Sequence, residues 1–157
     1  MNEQMSDVPV GSRSLDRPAV DVSLLIVRII VGVIFAAHGL QKVFGAFGGK
    51  GLGATVEMMG PMGYPVSIGE CFGGMGIVVG FLTRFSAASN IVIMFGAIAM
   101  VHGKNGFFLH NGGMEYNLAL IGLLAPILLA GPGRFSIGRF LPLPKAKGTD
   151  RPILVLE

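Results

Sequence analysis

Four apolar runs, Val22 to Leu40, Val66 to Leu82, Phe85 to Val101 and Tyr116 to Ala130, constrain this chain more than any motif does. Each is close to the ~17 to 25 residues with which a helix crosses the hydrocarbon layer of a bilayer. A surface helix of a soluble bundle keeps a polar stripe toward water, and none of the four runs carries one wide enough. Charged residues are 13% of the 157, about half the ~25% usual in soluble domains, and the mean hydropathy is +0.69. The sequence therefore predicts a single all-α membrane protein, with a membrane domain over 22–140 and polar or proline-broken tails at 1–21 and 141–157.

The first run is preceded by Arg13 and Arg17, and Phe35-Ala36-Ala37 imitates a cleavage site. It is nevertheless longer than the ~7 to 15 residues of a signal core, and three more spans follow, so it is read as a retained first helix. Orientation follows from the placement of Lys and Arg, which cytoplasmic loops retain. Arg13, Arg17, Arg84, Arg134, Arg139, Lys145, Lys147 and Arg151 fall on one side, and only Lys42, Lys50 and Lys104 on the other. Both termini are expected in the cytoplasm of a bacterial inner-membrane, multi-pass protein. The net charge of +3 and pI near 9.4 fit a basic tail beside anionic lipid, with no nucleic-acid partner.

The pattern is also written twice. His38-Gly39 and His102-Gly103 each close an apolar run, each leads into a Gly/Phe-rich loop, and a glutamate, Glu70 or Glu115, then opens the next run. Thr83-Arg84-Phe85-Ser86 and Gly133-Arg134-Phe135-Ser136 then mark the ends of the two halves. Such a repeat is common in membrane proteins built by duplication. The expected architecture is a bundle of four transmembrane helices made from two duplicated helical hairpins. Between Gly45 and Pro65, Leu52, Val56 and Met59 recur at helical spacing, which predicts a short helix lying on the outer interface. Gly48-Gly49-Lys50-Gly51 is not a phosphate loop, because the spaced first glycine and the Ser/Thr after lysine are missing.

In this orientation every helix delivers an ionisable group to the outer face. His38 ends the first with Lys42 one turn further, Glu70 lies ~6 Å into the second, His102 ends the third and Glu115 opens the fourth. Arg28 and Asn90 lie deeper. An ionised group at mid-bilayer costs roughly 2.5 to 3.5 kcal/mol on insertion scales, less near the interface, so Glu70 and Arg28 most need a reason for their placement. One account pairs these groups with each other at headgroup depth. The other is an outward-facing polar pocket in which His38, Glu70, His102 and Glu115 are catalytic while Arg28 and Lys42 bind the cofactor. The Glu-x-x-His spacing of di-iron bundles is absent, and the reading assigns no metal. His110 reads as a solvated loop residue, and Cys71 as a packing residue turned about 100° from Glu70. Gly69 with Gly73, and Gly76 with Gly80, are small-xxx-small pairs that place the second helix at a tight contact.

Taken together, Arg28-x-x-x-Gly32, His38-Gly39-x-x-Lys42, Glu70 with Gly73-Gly74, Gly80-Phe81-Leu82-Thr83-Arg84, Glu115-Tyr116 and Gly131-Pro132-Gly133-x-x-Ser136 resemble the DoxX family of small bacterial membrane proteins. The resemblance covers about Leu24 to Ile137. It implies a four-helix membrane fold similar to the DoxD subunit of thiosulfate:quinone oxidoreductase and work in a membrane redox complex. The family pattern ends Ser-x-Asp, whereas Ser136-Ile137 is followed here by Gly138. The function expected is that of an oxidoreductase subunit for quinone-linked oxidation of a sulfur compound or related small reductant, in which a quinone enters between apolar walls, meets His38 or His102, and exchanges protons with Glu70 or Glu115. The partners expected are the lipid bilayer and a redox-complex protein, with room for a homo-oligomer. The alternatives are a small-solute or proton transporter and a non-catalytic membrane anchor for a soluble enzyme.

Overall fold

The computed structural model describes residues 17–140. The expectations for the tail at 141–157, and for residues 1–16 of the first tail, lie outside the described residues. Among the described residues the regular structure is helical and no strand forms. Helix α1 (Arg17–Phe44) carries the first apolar run and continues past it, because Gln41 and Lys42 end the apolar run without ending the helix. It stops at Gly45, which takes a left-handed conformation with φ 71°. Helix α2 (Gly51–Met59) is the short helix expected from Leu52, Val56 and Met59.

Helix α3 (Gly63–Val79) ends three residues short of the expected Leu82. Gly80 turns to φ 76°, and the amides of Gly80 and Phe81 both donate to Gly76 O at 2.9 Å, closing the helix before the apolar run is finished. Helix α4 (Thr83–Ala97) continues through a wider π-type turn, Ile98–His102, so the third run is helical to its end. Helix α5 (Glu115–Ala130) matches the fourth run almost residue for residue. Of these, α1 and the stretch Thr83–Asn105 are long and apolar enough to cross a bilayer, and α5 is apolar but shorter.

The long helices pack in the order α1, α3, α4, α5, and α5 returns to α1. We call the end with α2 and the 103–114 connection the loop end, and the end where both described termini lie the tail end. Val31, Phe35, Ile77, Ala87, Met94, Leu120, Leu124 and Ile127 form the core. The outward faces are apolar as well: α1 exposes Ile26, Ile29, Ile30 and Val33, and α4 exposes Phe85, Val92 and Phe95. Helices apolar on all sides suit lipid surroundings.

Two glycine faces on α3 set the spacing. A Cβ on Gly74 would lie 2.3 Å from Ala36 N, and one on Gly39 would lie 2.2 Å from Cys71 Cα, so α1 and α3 meet backbone to backbone. The expected Gly69/Gly73 pair does face a neighbour, since a Cβ on Gly73 would meet Asn90 Nδ2 of α4 at 2.5 Å. Gly76 joins that face against Ser86, while Gly80 serves the turn.

Candidate functional site

The contact of Gly39 with Cys71 decides which polar groups meet. Because α1 and α3 are antiparallel, Lys42, three residues beyond Gly39, is level with Ile68 and lies against the α3 face that carries Ser67 and Glu70. The Lys42 ammonium pairs with Glu70 Oε2. Glu70 lies about 10 Å into α3 rather than ~6 Å, because the helix starts at Gly63. Its side chain is 5% exposed and that of Lys42 28%, so the carboxylate sits beneath a lysine that still reaches solvent or headgroups. An isolated carboxylate at such a place would cost several kcal/mol, and the ammonium offsets that cost. Helix α2 covers this corner: the Thr55 hydroxyl donates to Gly51 O at 2.8 Å and toward Lys42 O at 3.4 Å.

Arg28 is fully buried and answers a different need. Its Nε donates to Ile77 O at 2.9 Å and its Nη2 to Val78 O at 2.9 Å, satisfying the last carbonyls of α3. Its Nη1 donates to Pro132 O at 2.6 Å and Phe135 O at 2.8 Å, in the segment after α5. A Cβ on Gly80 would lie 2.5 Å from Arg28 Nη2 and 2.6 Å from Ser136 Cβ. The letters Arg28, Gly80, Pro132 and Ser136, scattered through the family-like pattern, thus form one joint at the tail end. Gly138 N donates to Gly80 O at 3.1 Å across the same joint. Arg84 and Asp21 strengthen that end, through Arg84 Nη2 to Leu129 O at 3.2 Å and Arg134 N to Asp21 Oδ1 at 3.0 Å.

The remaining expected site residues lie elsewhere. His38 is exposed on α1 and has no hydrogen bond to a described residue. His102 Nδ1 lies 2.7 Å from Gly112 O; a carbonyl only accepts, so Nδ1 carries the proton and donates. Asn105 Nδ2 donates to the same carbonyl at 3.2 Å. Glu115 is exposed and accepts from Leu109 N at 2.9 Å. His102 and Glu115 are therefore spent on shaping their own loop, and His110 stacks on Phe108 there with ring centroids 5.6 Å apart. Of the six expected residues, all among the described ones, Lys42 and Glu70 are the two joined by a hydrogen bond and ion pair. Among the described residues no three His, Cys, Asp or Glu side chains gather as metal ligands would.

One residue at this site escaped the sequence reading. Ser67 is fully buried and its hydroxyl has no hydrogen-bond partner among the described residues. An unmet buried hydroxyl costs about 1 to 3 kcal/mol. Its position one helical turn before Glu70 was the available signal. On the α3 face turned away from Glu70, an apolar groove of ≈ 410 Å³ opens against α4, lined by Gly69, Phe72, Gly73, Gly76, Phe85 and Ser89 among others.

The DoxX family model matches residues 23–103. The chain is similar to the inner membrane protein YqjF of Escherichia coli K12, at 29% identity over 127 residues, covering 77% of this chain and 93% of that protein. It is 32% identical over 129 residues to the putative oxidoreductase CatD of Bacillus subtilis 168, covering 78% and 85%. The membrane protein Rv3486 of Mycobacterium tuberculosis H37Rv is 27% identical over 136 residues, covering 76% and 81%. No solved structure matches. With its apolar helix surfaces, its tail-end joint built from the motif residues and this match over more than half its length, the chain belongs to the DoxX family of membrane proteins.

Proposed function

We propose that this protein is an inner-membrane subunit of a redox complex, in which Glu70, paired with Lys42, exchanges protons with a quinone. The observation that carries the reading is the buried Lys42–Glu70 pair: an ionisable residue inside an apolar helix pack is a candidate functional site, and Glu70 is the one whose partner is a side chain that reaches the surface. The similarity to a protein named as an oxidoreductase supports the reaction class. Four helices cross the bilayer with the loop end outward and both tails cytoplasmic, as the distribution of Lys and Arg favours. A quinone bound there takes up two electrons and two protons when the reductant is oxidised. The electrons come from a partner in the complex or a small reductant, and Glu70 gives up the protons one at a time.

A second reading, a membrane anchor for a soluble enzyme, draws on the way His102 and Glu115 spend their polar atoms on their own loop. Glu70→Gln separates the two. It keeps the size of the side chain and a neutral partner for Lys42 while removing the titrating proton. The complex is expected to assemble at parental levels with quinone-linked activity lowered by roughly 10² to 10⁴-fold in membranes. Parental activity per folded molecule would leave the anchor as the better account.

A further inference from the structure

We propose that Ser67 is a positioning residue that passes protons between Glu70 and the loop end; the inference rests on the reading of Glu70 as a proton site. Ser67 and Glu70 share the α3 face that meets α1, one turn apart, with Ser67 on the loop-end side. The two bracket the level of Lys42. A hydroxyl both donates and accepts, which is what a relay between water and a carboxylate needs. In the paired state the Ser67 hydroxyl is buried without a hydrogen-bond partner among the described residues, so it is free for the other state.

The surroundings close the tail-end side and leave the loop-end side, where Ser67 lies buried, for the route. Around Glu70, α1 brings Lys42 with His38 exposed one turn before it, and α2 brings Thr55 over the corner with Glu57 exposed beyond it, while Asn90 of α4 packs on the neighbouring face of α3 and its Nδ2 donates to Gly69 O at 3.4 Å. Thr55 and Asn90 do not titrate, and Lys42 is the charge that answers Glu70. Toward the tail end the interior is closed by Val31, Phe35, Ile77, Leu124 and Ile127, each at most 1% exposed. Beyond them the Arg28 guanidinium is a fixed positive charge, which repels an arriving proton.

The step balances without a further reactant. A proton entering past Ser67 converts the Glu70 carboxylate to a carboxyl, and Lys42 keeps its own proton and turns outward. The new carboxyl donates to Ser67 Oγ. Return of the proton reverses each change and restores the ion pair.

The test uses the full chain in lipid nanodiscs and follows the Glu70 carboxyl stretch by infrared spectroscopy after a pH jump, with the band assigned by its loss in Glu70→Gln. Ser67→Ala is expected to slow the appearance of that band by roughly 100-fold, with its pH midpoint unchanged, while Ser67→Thr keeps the parental rate. A structural role would instead lower the melting temperature and leave the rate in the folded fraction alone. A parental rate in Ser67→Ala overturns the inference and spares Glu70 as a proton site. If no Glu70 band appears at any pH at which the protein stays folded, the reading of Glu70 fails and this inference with it.

Discussion

Arg28 at the tail end and Glu70 at the loop end are both buried charges in one helix pack, and they are held in opposite ways. Arg28 gives its N–H groups to four backbone carbonyls drawn from the end of α3 and the segment after α5. Glu70 faces a lysine that is itself 28% exposed. A guanidinium stays charged at any physiological pH, and carbonyls cannot titrate, so the Arg28 joint has one state. On the proposed reading the Lys42–Glu70 pair has two, because a carboxylate can take up a proton. Burial of a charge in the membrane region therefore does not by itself mark function; the chemistry of the partner does.

The largest effect that tests this contrast is expected at Arg28. Arg28→Met keeps an apolar stem but leaves four carbonyls without their donor, one buried and three part-buried, at about 1 kcal/mol apiece, for a total of roughly 4 kcal/mol. Loss of monodisperse protein, or early unfolding in mild detergent, is the measured outcome. Arg28→Lys should recover little of it, since one ammonium cannot reach both α3 and the segment after α5 in the geometry of the planar fork. A methionine variant with parental stability and lost activity would move Arg28 from the joint to the reaction and break the contrast.

Next in size is the backbone contact that sets the pair. Gly39→Ala places a methyl 2.2 Å from Cys71 Cα, so α1 and α3 must part. Overpacking of this kind costs about 1 to 3 kcal/mol and shifts Lys42 off Glu70. Gly96→Ala is the control of opposite sign. Its Cβ meets nothing within 4 Å, and alanine favours the helix by up to about 1 kcal/mol. Thermal unfolding in one detergent orders the three proteins as Gly96→Ala, parent, Gly39→Ala. A Gly39→Ala variant as stable as the parent would mean that the helices are not held at that spacing.

These contrasts also show what was legible in the sequence and what was not. The apolar runs set the helices, because hydrocarbon-length stretches have few other uses. Leu52, Val56 and Met59 showed α2 by their spacing, and Gly69 with Gly73 showed a tight face of α3. The site was legible only in part. Glu70 stood out as a charge within an apolar run, but its pairing with Lys42 depends on the Gly39–Cys71 register, a tertiary fact that no local spacing contains. The partners of Arg28 are backbone carbonyls, which every residue has, so no letter could announce them. The doubled letters suggested equal roles, and the environments are unequal. Glu70 is buried against a lysine, whereas Glu115 is exposed and accepts from Leu109 N. Thr83–Ser86 opens α4, whereas the segment 133–136 lies after α5 and folds back on Gly80.

The smallest expected effects separate the two histidines that the sequence makes look alike. His102 holds Gly112 O together with Asn105, so His102→Ala removes one neutral hydrogen bond and leaves that carbonyl with the longer one. The cost is about 0.5 to 1.5 kcal/mol. It should show first as faster amide exchange at the loop-closing amides Gly113, Met114 and Glu115, which donate to Phe108 O, Gly106 O and Phe107 O, before any change in the melting of the helices. His38 has no such bond, and His38→Ala should fall within about 0.5 kcal/mol of the parent with loop exchange untouched. If His38→Ala instead lowers quinone-linked activity while folding is intact, an exposed histidine on α1 next to Gly39 belongs to the working site, and the loop end holds a titrating group beyond the Lys42–Glu70 pair.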